Sequence, residues 1–410
     1  MARESSSTGA KVGDGRLGSF SAFYSHIVGR RAPRASSRVL SRGSVYWPQL
    51  VAAILIVIYG AIVIYSASLT IPEASFPRHL VGIAMGAVGG FLIWRYDYRA
   101  MANMSKVLLA ADAVLMLLPS VPGLGYSALG MTGWIKIPII GMTFQPSEIA
   151  KLVTIYLMAS LGAEYNGKIE TLRDYAKLCG MLCIPFILIL TQPDLGTGLI
   201  ILVTGAAIII CSGAKRTWVL VTIAVIVVGA ALVVATSMTE GMPHLLKQYQ
   251  LKRLIVFVDP SVDPSGDGYN LQQAKIAVGS GGFLGKGFGN ATQAGSGFLP
   301  EAQTDFVFAL LAEEFGFVGS VFLLVLFGAL IFTTIVLAQR VEAPFGKLVL
   351  VGVATMWSFQ LLQNVGMCIG IMPITGIPLP FVSFGSSSML AQLTAVGMVQ
   401  SVWRHRPKAA

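Results

Sequence analysis

Ten apolar runs follow one another along this chain, at about 47–69, 78–94, 104–121, 147–163, 176–190, 197–213, 217–238, 305–339, 346–370 and 386–403. A bilayer core holds no water to satisfy backbone N–H and C=O groups, so a crossing segment must be a helix or part of a closed barrel. A helix needs about 20 apolar residues to cross about 30 Å of hydrocarbon, and the runs are on that scale. Only 12% of the residues are charged, about half the share of a soluble domain. The pattern predicts an all-α polytopic membrane protein of about ten transmembrane helices. Within 176–213 the apolar pattern is cut by Thr191 to Thr197, where Pro193 and Gly196 mark a turn between two short helices. The run 305–339 is too long for one perpendicular span, about 50 Å if helical, so it must tilt, kink or project.

An even number of spans puts both tails on one side. The tail 1–46 and the short segments facing the same way (95–106, 164–177, 214–217, 340–347 and 404–410) carry 21 of the 29 Lys and Arg residues. Apart from the long segment 239–304, the opposite side carries only Arg78 and Lys136. Basic residues in short loops stay cytoplasmic, so both termini are expected inside and 239–304 outside. This asymmetry and anionic lipid account for the net charge of +10 without nucleic acid. The expected organisation is a basic cytoplasmic tail 1–46, disordered over 1–43, a membrane domain 47–403 and a short cytoplasmic tail 404–410. The first tail is too long and polar for a cleaved signal peptide, so the first span serves as signal-anchor. Cys179, Cys183, Cys211 and Cys368 all lie in spans and read as buried small apolar side chains. With four scattered histidines, a metal site built from nitrogen and sulfur ligands has no support.

The segment 239–304 is far longer than a turn between spans requires, and long polar loops usually carry function. It holds Asp259, Asp263 and Asp267 among two prolines and two glycines. A carboxylate held in such a rigid turn could be a general base, or these could be turn residues only. Ala277–Gly289 places six glycines around Lys286. Its N–H groups could cradle a phosphate, although the spacing is not that of a nucleotide loop and ATP is absent outside a cell. Elsewhere, 122–146 reads as an outer loop ending in Gln145-Pro146, and Glu148 and Lys151 share one face of the helix that follows. That pair is either a structural ion pair or a substrate contact. Asp194 is either a helix cap or a cavity residue, and Asp112 reads as a structural hydrogen-bonding group. Asp305, Glu313 and Glu314 sit at or inside the eighth span, where at least one of the two glutamates needs a partner. The segment 372–388, with three prolines and several hydroxyls, reads as a re-entrant or surface-lying element.

Five motifs carry a resemblance over about 47–403: FQPSEIAKL (144–152), TQPDLGTG (191–198), DPSGDGYNLQQAKIAVGSGGFLGKG (263–287), FLPEAQTDFVFALLAEEFGFVG (298–319) and NVGMCIGIMPITGIPLPFVSFGSSSML (364–390). In this order they resemble the SEDS family of bacterial cell-wall polymerases, and the stretches 311–316 and 372–380 look more like its elongation member, RodA, than its division member, FtsW. The resemblance implies a peptidoglycan glycosyltransferase of the bacterial cytoplasmic membrane. Such an enzyme joins lipid II into β-1,4 glycan strands on the outer face and releases undecaprenyl diphosphate. It selects Asp263 over Asp259 and Asp267 as the essential carboxylate. An inverting transfer with so good a leaving group needs one carboxylate, where glycosidases need two. The diphosphate calls for cations, for which Lys136, Lys151, Lys275 and Lys286 are candidates, or a divalent ion. Glu148, Lys151 and Asp194, and with them Asp305, belong to the expected polar cavity. The implied partners are a single-span class B penicillin-binding protein, contacting spans eight and nine, and other elongation-complex proteins. One departure stands out: relatives carry Arg-Trp before the Gln-Pro motif, whereas here Gly133 precedes Trp134. Lys136 is the nearest residue that could supply the missing charge. The rival functions are a lipid II flippase or other transporter, a division polymerase, and a scaffold for cell-shape proteins. The outer position of the large polar element and the lack of an evident inverted repeat favour the polymerase over a transporter.

Overall fold

The computed structural model describes residues 44–406 except 129–130, 138–141, 193 and 239–247. The tail expected to be disordered (1–43), the proline of the 191–197 turn and the start of the long insert therefore lie outside the described residues. In chain order the helices are α1 (Trp47–Thr70), α2 (Phe76–Arg95), α3 (Ser105–Leu117), α4 (Pro146–Ala163), α5 (Leu172–Leu190), α6 (Leu195–Cys211) and α7 (Arg216–Met238). The insert contributes α8 (Gln248–Val258) and α9 (Asp267–Ser280), and the chain continues with α10 (Val307–Arg340), α11 (Pro344–Ile369) and α12 (Ser386–Arg404). Each of the ten apolar runs coincides with one helix. Five of them, α1, α2, α7, α10 and α11, are long and apolar enough by themselves to cross a membrane.

Helices in lipid gain little from the hydrophobic effect and associate through close backbone packing. The pairing of α2 with α12 follows from this. Gly82, Gly86 and Gly90 form one stripe of α2, and a Cβ on Gly86 would come 2.8 Å from the Met389 carbonyl oxygen. The centre is α4, α6 and α11. Ile155, Leu157 and Met158 of α4 are fully buried, and Gly352 of α11 admits Ile155 and Ile208 so closely that a Cβ there would lie 2.7 Å from Ile155. By contrast, the membrane-spanning stretch of α7 buries none of its residues. It meets α5 near its start, where Tyr175 donates to Thr222 (2.9 Å) and stacks near Trp218.

The long α10 resolves its excess length by a break. Gly316 sits at φ 64°, ψ −159° inside an otherwise continuous helix. The glycine-rich loop after α9 occupies the break: Lys286 N–H donates to Glu313 O, Gly287 N–H to Glu314 O, and Phe317 N–H to Gly282 O. Of the N–H groups expected to cradle a phosphate, those of Lys286 and Gly287 are thus committed to carbonyls of α10, those of Gly281, Gly282 and Gly285 to carbonyls of α9 and the loop itself, and that of Gly289 to Ser66 Oγ. A side chain at such a φ is strained by about 1–3 kcal/mol, and a Cβ would also press on the Gly285 backbone. Gly316→Ala is expected to lower the thermal unfolding midpoint by several degrees in a detergent thermal-shift measurement. The equivalent change at Gly328, where a Cβ meets nothing within 4 Å, is expected to have no such effect.

Two expectations change. The segment 122–146, expected as an outer loop, is a three-stranded antiparallel meander, β1 (Gly125–Ala128), β2 (Met131–Ile137) and β3 (Met142–Phe144) in that order. It is anchored where Gln145 N–H donates to Ser387 Oγ at 3.0 Å. Of the four cysteines only Cys368 is buried, while Cys183 is exposed on the outside of α5. An apolar thiol on a lipid-facing surface needs no burial in protein.

Candidate active site

The segment between α8 and α9 separates its three aspartates. Asp259 is exposed and accepts from the Ser261 N–H (3.0 Å) and hydroxyl (2.6 Å). Those bonds hold its carboxyl below the usual carboxylate range, and it serves as the cap of a single 3₁₀ turn. Asp267 opens α9 and pairs with Arg253 Nε at 3.4 Å. Asp263 is buried, 6% exposed, although its neighbours Val262 and Pro264 face solvent. One carboxylate oxygen accepts from the Asp267 N–H at 2.9 Å and lies 3.0 Å from the Lys252 ammonium.

A buried carboxylate is costly unless paired and hydrogen-bonded, and this one has both partners. Its pocket requires Gly266, whose Cβ would fall 3.0 Å from the Asp263 carboxyl carbon. Helix α9 then runs away from Asp263 with a stripe of buried residues, Gly268, Leu271, Ala274 and Ala277, turned toward α10 and α11. Lys252 and Arg253 were not among the expected site residues. Their signal in the sequence is that they are the only adjacent cations of the insert, on the short amphipathic stretch preceding the aspartates.

A second cluster lies where α4, α6 and the 372–385 segment meet. Lys151 Nζ and Glu148 Oε1 form an ion pair of 2.8 Å, both side chains at most 4% exposed. Glu148 Oε2 and Ser147 Oγ are buried with no partner among the described residues. Asp194 is both cap and cluster member. Its Oδ1 accepts from Thr197 N–H (2.9 Å) at the start of α6, and its Oδ2 accepts from Gln145 Nε2 (3.3 Å). Gly196 lies against Thr375 and Ile377, while Asp305 Oδ2 is 3.3 Å from where a Cβ of Gly376 would stand. The 375–377 turn thus lies between Asp194 and Asp305. The re-entrant expectation for 372–388 fits this geometry, with Ile374, Ile377, Leu379, Phe381 and Val382 buried. Asn364 ties the segment down by donating to Ile377 O and Asp305 O, each at 2.8 Å.

Other expected residues lie elsewhere. Lys286 is held by Glu313 at 2.5 Å, and Glu313 also accepts from Thr292 and Gln293. Glu314 accepts from Ser66 of α1 at 2.6 Å, so both glutamates of the eighth span have partners and pin the glycine-rich loop. Lys275 is exposed on α9, its chain lying over Gly370. Lys136 is exposed with its ammonium 5.9 Å from the Tyr126 ring. Side chains alternate along a strand, so Lys136 and Gly133 point to opposite faces of β2, and Lys136 does not replace a charge at position 133. Asp112 accepts from Thr154 at 2.8 Å, as expected of a structural group. Among the described residues no three His, Cys, Asp or Glu side chains are grouped to hold a metal ion.

The family of cell cycle proteins comprising FtsW, RodA and SpoVE matches residues 47–408. Stage V sporulation protein E of Bacillus subtilis (strain 168) is 33% identical over 364 residues, covering 87% of this chain and 96% of that protein. The peptidoglycan glycosyltransferase MrdB of Escherichia coli (strain K12) is 34% identical over 357 residues, covering 87% and 93%. Among solved structures, a chain of a peptidoglycan synthase complex, described for its structural coordination of polymerization and crosslinking, superposes with a TM-score of 0.74. It is 29% identical and covers 89% of this chain and 99% of its own.

Proposed function

The chain belongs to the FtsW/RodA/SpoVE family, and on that premise we propose that it is a peptidoglycan glycosyltransferase polymerising lipid II on the outer face of the bacterial cytoplasmic membrane. The observation that carries the mechanism is the buried Asp263, paired with Lys252 and set apart from Asp259 and Asp267 by its burial. In the reaction the acceptor sugar hydroxyl attacks the anomeric carbon of the lipid-linked donor. The carbon–oxygen bond to the diphosphate breaks, and the configuration inverts. Asp263 takes the proton of the attacking hydroxyl, while undecaprenyl diphosphate leaves as an anion without protonation. Lys252, Arg253 and Lys275 are the described cations on the α8–α9 element, and they supply positive charge beside a diphosphate. A divalent ion bound with the diphosphate would add to that charge. The excess of basic residues in the tails and the short loops on their side supports cytoplasmic termini and an outer active site.

The elongation role rests on the RodA-like sequence at 311–316 and 372–380. The partner that role implies is a single-span transpeptidase lying along α10 and α11. Phe317, Phe322 and Val325 of α10 are exposed and offer an apolar surface to such a span, with Phe317 also stacked near Phe283 and Phe322 edge-on to Tyr59. The test uses the purified full chain with its cognate transpeptidase in liposomes containing labelled lipid II. A ladder of glycan strands is expected. Transbilayer movement of lipid II with no polymer would replace the polymerase by a flippase.

A further inference from the structure

Gln192 is buried, 1% exposed, in the turn between α5 and α6. Its side-chain nitrogen donates to the Met116 carbonyl of α3. A carbonyl accepts only from the nitrogen end of an amide, so this bond fixes the amide's orientation and leaves Oε1 directed away from α3. Among the described residues that oxygen has no hydrogen-bond partner. It lies 3.5 Å from where a Cβ would stand on Gly133, and among the described residues beyond Gly133's chain neighbours the one other atom within 4 Å of that point is Gln145 Nε2, at 3.9 Å. Gly133 is itself buried on β2. The missing side chain therefore leaves a notch whose floor is an oriented, unsatisfied acceptor. Its wall is the Gln145 amide, which already donates to Asp194. A buried acceptor without a donor is costly, and among the described residues no side chain supplies one here.

We infer that the Gly133 notch is a subsite for a hydrogen-bond donor on the N-acetylated sugar of the lipid-linked substrate, received by Gln192 Oε1. The inference rests on the glycosyltransferase reading and adds a residue-level basis for sugar recognition. Two kinds of donor exist on such a sugar, the acetamido N–H and the sugar hydroxyls. The notch takes a neutral donor, because Asp194 is already occupied by Thr197 and Gln145 and the nearest facing atoms are amides.

The experiment measures kcat/KM for three substrates with the full chain and its transpeptidase: lipid II, an analogue with ester oxygen replacing the acetamido N–H, and a deoxy analogue. The variants are Gly133→Val, which fills the notch with carbon, and Gly133→Ser, whose hydroxyl can donate to Gln192. The wild type is expected to discriminate against one analogue by about tenfold, the scale of one lost hydrogen bond to a buried acceptor. Both variants are expected to lose that discrimination, and the identity of the discriminated analogue names the donor. Gly133→Ser is expected to unfold no earlier than wild type, because it satisfies a buried acceptor, yet to discriminate no better than Gly133→Val. Equal discrimination in wild type and variants, or none in wild type, overturns the subsite while leaving polymerase activity standing. Absence of polymer from the wild type with natural lipid II overturns the activity and the subsite together.

Discussion

Asp263→Asn is expected to lower the initial rate of lipid II polymerisation by about 10²–10⁴-fold, the usual contribution of a positioned general base. The substitution is nearly isosteric, and its amide oxygen can still accept the Asp267 N–H that now bonds the carboxylate at 2.9 Å. The loop should therefore keep its shape, and thermal unfolding measured in parallel should show little change. The neighbouring aspartates provide the contrast. Asp259→Asn removes a charge from an exposed cap whose partners lie within its own turn, and it should change the rate by no more than a few fold. Asp267→Asn loses the contact with Arg253 but leaves its own N–H on Asp263, so an intermediate loss is expected. A rate for Asp263→Asn within tenfold of wild type would remove Asp263 as the base.

The second large effect is expected at the pair Glu148–Lys151. With both side chains almost wholly buried and 2.8 Å apart, removing one partner strands the other charge. The expected cost for Lys151→Met alone is about 3–5 kcal/mol, read as an early denaturation midpoint in detergent. The double change Glu148→Gln with Lys151→Met removes both charges and should recover most of that stability, since a buried pair and its neutral replacement are often close in energy. The double variant also separates the two roles left open by the sequence. If it folds and polymerises like wild type, the pair is scaffolding. If it folds and fails to polymerise, the charges act on substrate. The unpartnered Glu148 Oε2 beside Ser147 favours the second outcome.

The sequence made the helices legible because hydrocarbon imposes one solution on every apolar run. It also required the long run 305–339 to tilt, kink or project, of which the structure shows a kink at Gly316, and it marked the turn at 191–197, where Asp194 caps the following helix. The meander at 125–144 was not legible. Its strands are short, and they depend on partners distant in the chain, such as Ser387. The glycine-rich stretch 277–289 misled for a related reason. Glycine permits a nest, but whether its N–H groups meet an anion or a carbonyl depends on what packs beside it, here the break at Gly316. Burial likewise ranked three nearly equivalent aspartates, and burial is a property of the assembled chain. Lys252 and Arg253 carried a visible signal in their adjacency, but their targets, Asp263 and Asp267, depend on how α8 folds back on the start of α9.

The break in α10 has a mechanical meaning. At that point the helix lends the carbonyls of Glu313 and Glu314 to Lys286 and Gly287, while Gly281, just past the end of α9, lies close against Ala312 and Glu313. Loop and helix are welded there, and separating them would orphan polar groups at the edge of the hydrocarbon. Helix α9 runs from that weld for 14 residues, about 21 Å, packed against α10 and α11, with Asp263 just beyond its far end. A rotation of about 3° at the weld moves that end by about 1 Å, a displacement that costs on the order of 10²-fold in rate when reacting groups must be aligned. A shift of α10 at this weld is therefore expected to reach the carboxylate.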